Sequence, residues 1–574
     1  MNRKQRRAGL KQAGSGPRQS AAQLFADALR LQQMNKLDDA ARAYKRLLLI
    51  APDHAQASNN LACILQTQGK FAEASARFAR TLELMPQLLG QFGAICATLT
   101  ALLPTLAGAM ARASQAWPRR LPPDDLFGGA GLVGIVADPL LLTILQSTPV
   151  RDVALERVLT SVRAALLERA AANALDDDAL GFCCALAQQC FINEYVFATT
   201  PAEDALVESI GHNLDGIAPT RLAALAMYLP LHELTGAEAL LSRQWPEPVD
   251  DVVTLQLREP LAERALRQTI PQLTAIEDAT SQRVRQMYEE NPYPRWIQPP
   301  AGAAPLPIDR YLRGLFPAAT FNPPAPQDTL DVLVAGCGTG WHAIGLAHVL
   351  QGARITAIDL SRGSLAYAKH KTPTALAAHI DYAQADILKL GALERRFDVI
   401  DASGVLHHMA DPFAGWRILL GLLRPNGVMH LGLYSELGRR DVLAARGFIR
   451  ERGYGATAAE IRRCRQELLE SPHAGVARFD DFFSTSECRD LLFHVQESRT
   501  SIPAIKAFLD EQNLTFIGFE FGEAAQRGYQ AWFAQRGWPL GDLKRWHEFE
   551  TQYPDTFSAM YHFWVQKPGP LAKS

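Results

Sequence analysis

Cysteine is sparse in this chain, and its spacing pairs with nothing. The eight cysteines among 574 residues include the adjacent Cys183 and Cys184 and six scattered others. That arrangement excludes a disulfide framework and a thiolate metal site, and predicts reduced, buried thiols in a cytoplasmic protein. An excess of either charge is also missing. Net charge is −2, which removes the electrostatic case for a specific nucleic-acid partner or an anionic membrane surface. Only residues 1–20 depart from this balance. Arg3, Lys4, Arg6, Arg7, Lys11 and Arg18 occur there without an acid, which predicts a basic, solvated, disordered tail. No apolar stretch follows it, so it does not read as a secretory signal. Long hydrophobic runs are absent with one exception. Between Glu83 and Arg112 there is no charge, and Phe92 to Ala111 has about the length of a membrane span. Its Ala, Gly and Thr content and Pro104 point instead to a buried helix pair, so no membrane is expected.

The front of the chain repeats. Asn35–Ala41 aligns with Gly69–Ser75, Tyr44 with Phe78, Ile50 with Leu84, and Pro52 with Pro86, a period of 34. Small residues at 40 and 74 let paired helices approach, Tyr44 and Phe78 fill the seam, and each proline ends a helix. This order of small, aromatic and proline positions resembles the tetratricopeptide (TPR) repeat. The resemblance implies TPR-like helices over 21–112, with 88–112 as a degenerate third helix pair or a docking surface, and a groove for a protein or peptide partner. Residues 113–280 read as mostly helical and hold no catalytic constellation. Asn193–Phe197 reads as a capped helix end or part of an interface.

The most informative stretch is Asp331–Gly340, a buried strand running into glycines at 336, 338 and 340. A dinucleotide fingerprint would place its third glycine at 341, where Trp341 stands. Trp341 therefore argues against a nicotinamide cofactor. A second strand, Arg354–Asp359, ends on an acid one βαβ unit downstream, placed to accept from ribose hydroxyls. Strands at Ile380–Asp386, Phe397–Ser403 and Val428–Tyr434 follow, and the helix between the last two is expected to stop at Arg424–Gly427. Two more, Leu514–Phe521 and Ala559–Gln566, complete seven.

This pattern resembles class I methyltransferases, which bind S-adenosylmethionine (SAM). The implied fold is a multidomain chain: the helical front and middle, then over 331–574 an α/β Rossmann-like domain with a seven-stranded, mostly parallel sheet whose last strand runs antiparallel. The implied cofactor contacts are Gly336, Gly338, Gly340, Asp359, Leu360, Asp386, Ile387 and Val405. In that fold the acid at 386 accepts from the adenine amino group and the Ile387 amide meets a ring nitrogen. Many members carry an acid two residues before the first glycine, and here that position is Val334. His407 and His408 are the candidate bases; no metal ligand set is expected. No Asn/Asp-Pro-Pro-Tyr motif follows strand four, which argues against exocyclic base-amine methylation and leaves the acceptor unknown, protein or small molecule.

Residues 281–330 join the halves. They open with Tyr288, Tyr293, Arg295 and Trp296, a candidate lid over the cofactor or a packed linker. Ten prolines between 291 and 330 are expected to forbid regular structure. Residues 435–512 form an insertion on the acceptor side, with Arg439, Arg440, Arg446 and Arg450 read as a solvated helix face. The whole arrangement resembles a group of bacterial proteins in which TPR repeats precede a class I methyltransferase domain. The first expectation is a SAM-dependent methyltransferase whose repeats recruit substrate. The alternative is a TPR adaptor whose methyltransferase-like domain only senses SAM.

Overall fold

The computed structural model describes residues 20–569 apart from 130, 301, 303 and 323–327. The basic tail expected at the start lies outside the described residues, except for Ser20. The chain divides into two compact units, up to Gln146 and from Ser147 onward.

The first unit is helical. Ala21–Gln33, Leu37–Ile50, Ala55–Thr67 and Phe71–Leu84 form two helix pairs, and Ala55 and Phe71 each stand 34 residues after their counterparts Ala21 and Leu37. Ala40, Ala74 and Tyr44 are fully buried. The Tyr44 hydroxyl donates to Gln32 Oε1 at 2.8 Å and accepts from Asn60 Nδ2 at 2.9 Å, so one side chain ties three helices. The uncharged run becomes two helices, Phe92–Leu102 and Pro104–Ala116, bent 112° apart. Pro104 sits at the first helical position, where its missing N–H costs nothing. Among the described residues no single helix is long and apolar enough to cross a membrane; this bent pair passes by length and composition together.

The second unit opens with helices including Val153–Ala171, Leu180–Ile192 and Ala279–Glu290. The sheet follows: β1 Leu330–Ala335, β2 Ala353–Asp359, β3 Ile380–Gln384, β4 Phe397–Ser403, β5 Leu423–Tyr434, β6 Thr515–Phe519 and β7 Met560–Gln566. Their order is β3-β2-β1-β4-β5-β7-β6, with β7 antiparallel to both neighbours. Apolar clusters cover both faces, Leu333, Ile400 and Met429 on one and Val332, Val399 and Val428 on the other. This two-sided burial accounts for strands that read as near-continuous apolar runs.

Three local expectations are corrected. β5 begins at Leu423 rather than Val428, running through Arg424–Gly427 with Asn426 at φ 61° and a register shift against β4. The proline-rich segment contains a helix, Ile308–Leu315, whose eight residues hold no proline and lie between Pro307 and Pro317. Prolines bound that helix rather than prevent it. Arg439 is not on a solvated face. It is 1% exposed, donates Nη2 to Glu497 Oε2 at 2.7 Å, and shares that carboxylate with Arg446 at 2.8 Å.

Asn193–Phe197 proves to be an interface within the second unit. Glu194 and Tyr195 adopt positive φ. The Glu194 carboxylate then accepts from the Ser486 amide, and its carbonyl accepts from Thr485 Oγ1 at 2.8 Å.

Candidate active site

A cavity of about 470 Å³ opens at the carboxyl ends of β1 to β4. This is where an open α/β sheet holds its ligand. Its floor is the glycine loop. Gly336 has φ 71°, and a Cβ there would lie 2.3 Å from Val405 Cγ2. At Gly338, φ is 51° and a Cβ would meet the Tyr293 carbonyl oxygen at 2.8 Å. Both positions exclude a side chain by conformation and by space. Gly340 behaves differently. It does not line the cavity; its φ is 87° and its missing Cβ makes room for Ala368, 2.7 Å away, on the helix Arg362–Lys371. Gly340 thus packs against that helix, while Gly336 and Gly338 face the cavity.

Asp359, at the end of β2, lines the cavity with Leu360. Its Oδ2 accepts from the Gly338 amide at 2.9 Å and its Oδ1 from the Ser361 amide at 2.8 Å. Burial pushes its carboxyl up to about 6, against the pull of those amides. Asp386 caps the turn after β3, its Oδ1 accepting from the Leu388 amide at 2.9 Å. Its Oδ2 is buried without a hydrogen-bond partner. A partnerless carboxylate oxygen in a cavity wall calls for a donor from a ligand. Ile387 and Val405 line the same cavity.

The aromatic segment covers this floor. Tyr288, Tyr293 and Pro294 line the cavity. The Tyr288 hydroxyl donates to Asp490 Oδ1 at 2.6 Å and lies 3.2 Å from His494 Nε2 and 3.4 Å from His408 Nε2. Trp296 does not line the cavity; its indole N–H donates to Thr339 behind the loop. Thr339 Oγ1 in turn donates to the Pro294 carbonyl at 2.5 Å. Tyrosines thus roof the cavity and Trp296 anchors them.

The two candidate bases part company. His408 lines the cavity, and its Nδ1 lies 3.1 Å from the Gln496 carbonyl, which assigns the proton to Nδ1 and leaves Nε2 an acceptor facing the Tyr288 hydroxyl. Burial depresses its pKa, outweighing Asp490, so the ring is neutral near pH 7. His407 is 1% exposed, stacks on Tyr434 at 3.5 Å between centroids, and is not among the lining residues. Buried, with His408, Arg439 and His494 as neighbours, it is held well below the ordinary imidazole range. Of the two, only His408 faces the cavity.

The far end of the cavity holds residues that the motif reading missed: His342, Asp401, Ser403, Met560 and His562. Asp401 lies within β4 and accepts from His430 Nδ1 at 2.8 Å. Burial opposes its charge, yet His430 and His342 hold its carboxyl well below the usual carboxylate range. Ionisable residues inside strands buried on both faces were the available signal, at Asp401 in β4 and His430 in β5.

Residues 333–431 match the family model of a methyltransferase domain. The chain is 30% identical over 259 residues to an uncharacterised protein of Synechococcus sp., covering 43% of this chain and 61% of that protein. It is 31% identical over 118 residues to the ubiquinone biosynthesis O-methyltransferase of Azotobacter vinelandii, covering 20% of this chain and 49% of that enzyme. Among solved structures it is similar to PKMT2 from Rickettsia typhi in complex with AdoHcy, at 17% identity and a TM-score of 0.36 over 48% of this chain and 56% of that one. The chain spans 61% and 49% of the length of these two curated relatives. The family match, the strand order and the glycine-floored cavity agree: the chain carries a class I SAM-dependent methyltransferase domain.

Proposed function

We propose that the whole chain is a SAM-dependent methyltransferase, and that its N-terminal helices are a TPR array presenting a protein or peptide partner. The observation that carries the enzymatic reading is the single cavity joining Gly336, Gly338, Asp359, Asp386 and His408. Its residues fit the cofactor. The partnerless Asp386 Oδ2 suits an adenine amino group. Asp359 suits two ribose hydroxyls, and the bare glycines leave room for the atoms between. SAM supplies an electrophilic methyl group on a sulfonium. The protein's work is to orient the acceptor, exclude water beneath Tyr288 and Tyr293, and take up a proton where the acceptor must lose one. His408 Nε2 is the group we assign to that proton. The equal 34-residue spacing of the helix pairs supports the array.

Calorimetric titration with SAM and S-adenosylhomocysteine tests this reading. Saturable binding of both is expected, and binding of neither overturns it. The same titration carries a pH prediction. The Asp359 carboxyl, raised to about 6, is ionised above that pH and able to accept from both hydroxyls. Affinity should hold steady above pH 6 and fall by up to about tenfold per unit below it, and Asp359→Asn should flatten the profile. A profile unchanged down to pH 5 would count against Asp359 as the ribose acceptor. Replacing Tyr288 and Tyr293 together with Ala should weaken SAM binding by about 5- to 30-fold, the scale of one to two aromatic–cation or stacking contacts. Unchanged affinity in a folded variant removes the lid.

A further inference from the structure

His342, Asp401 and His430 come from three separate elements. His342 is the second residue of the helix Trp341–Val349, which follows the glycine loop directly. Asp401 and His430 are register partners on β4 and β5, so their side chains share one face of the sheet. The two imidazoles approach opposite oxygens of one carboxylate: His430 Nδ1 lies 2.8 Å from Oδ2 and His342 Nδ1 lies 3.4 Å from Oδ1. One ligand atom from each residue lies within 4.8 Å of the other two.

The surroundings separate a buried side from an open one. His430 is 7% exposed and its Nε2 has no hydrogen-bond partner; Glu520 Oε2, a second carboxylate, stands 3.6 Å from it. His342 and Asp401 face the cavity. Two imidazoles and a carboxylate with an open side are a donor set for Fe²⁺, Co²⁺, Mn²⁺ or Zn²⁺ rather than for the all-oxygen ions.

A second grouping, His408, Asp490 and His494, meets the same distance criterion. Its centre is filled. The Tyr288 hydroxyl lies 2.6 to 3.4 Å from all three ligand atoms, where an ion would sit. His494 Nδ1 also accepts from the Gln496 amide at 3.0 Å, which leaves the proton on Nε2.

We propose that His342, Asp401 and His430 form a divalent transition-metal site at the far end of the cavity, with its open positions turned toward the methyl acceptor. The site itself stands on the three residues; only its link to an acceptor rests on the methyltransferase reading. An acceptor offering an oxygen to the ion would be fixed in place by it.

The test uses the full chain, stripped with a chelator and dialysed, then titrated with CoCl₂ by calorimetry and visible absorption. One Co²⁺ per chain is expected, with weak d–d bands and no thiolate charge-transfer band. His342→Ala, at a half-exposed position, and His430→Ala should each weaken it by at least about 100-fold, the upper end of what loss of an outer-shell partner alone costs. His494→Asn should leave it unchanged. Thermal melts establish that each variant is folded. No saturable binding by the wild type, a thiolate band, binding indifferent to both histidine variants, or loss in His494→Asn alone overturns the site. S-adenosylhomocysteine is titrated into the same preparation. Its binding without cobalt binding sinks the metal site alone, and cobalt binding without it sinks the methyltransferase reading alone.

Discussion

Glu156→Gln is expected to lower the unfolding free energy of the second unit by about 3–5 kcal/mol, the cost of stranding a buried charge. Arg465 is 0% exposed and Glu156 3%. The guanidinium donates Nη1 and Nη2 to the two carboxylate oxygens at 3.1 and 2.9 Å, Nη1 also to the Val196 carbonyl at 3.2 Å, and Nε to the Phe482 carbonyl at 2.7 Å. One side chain therefore joins the helix Val153–Ala171, the Asn193–Phe197 interface and the insertion of the methyltransferase domain. Removing the carboxylate charge leaves the cation buried among carbonyls that cannot neutralise it. The double variant Glu156→Gln with Arg465→Met should recover part of the loss, because no charge then remains to be paired. Urea unfolding measures both. A single-variant change below about 1 kcal/mol would mean that water reaches this pair and screens it, as it does for surface pairs.

That joint was invisible in the sequence, and the reason is general. Glu156 and Arg465 are 309 residues apart. Each alone reads as a charge on a helix, for which solvent is the ordinary destination. The same habit misplaced Arg439, whose partner Glu497 lies beyond three intervening α-helices. What could be read was local. β1 to β4 were legible because each is an apolar run that leads into a turn, and β2 and β3 run into Asp359 and Asp386. Asp359 and Asp386 were legible because a parallel sheet brings every strand's carboxyl end to one edge. Gly340 could not be told from Gly336 and Gly338, because positive φ is shared by glycines that face a cavity and glycines that face a helix. His407 and His408 were inseparable by position. A tight turn, Leu406–His408, sends their rings different ways, one onto Tyr434 and one into the cavity. The His342–Asp401–His430 group depends on strand order, since β4 and β5 become neighbours only once the sheet forms. The proline count misled in the opposite sense. It described composition across 40 residues, while the helix Ile308–Leu315 needed only eight of them free of proline.

Asp359→Ala is expected to weaken S-adenosylhomocysteine binding by at least about 100-fold, since two hydrogen bonds to a charged acceptor are each worth roughly 1.5–3 kcal/mol. The effect has two physical sources. In the proposed complex the carboxylate accepts from both ribose hydroxyls, and the alanine accepts from neither. In the protein alone the same carboxylate already holds the Gly338 and Ser361 amides, so its removal also frees the glycine loop from β2. Asp359→Asn separates the two. An amide keeps one oxygen for one of the backbone donors but presents an N–H₂ where the second acceptor stood. It should therefore retain the melting temperature more nearly than alanine does while losing most of the affinity. Asp386→Ala provides the scale. Its Oδ2 is offered a single donor, so the loss there should be about 10- to 100-fold. If Asp359→Ala binds within tenfold of the wild type while Asp386→Ala does not, the ligand is held by its base alone and the ribose assignment at β2 fails. If both bind normally, the cavity is not the nucleoside site. The order Asp359 above Asp386 follows from the number of donors each acid can receive.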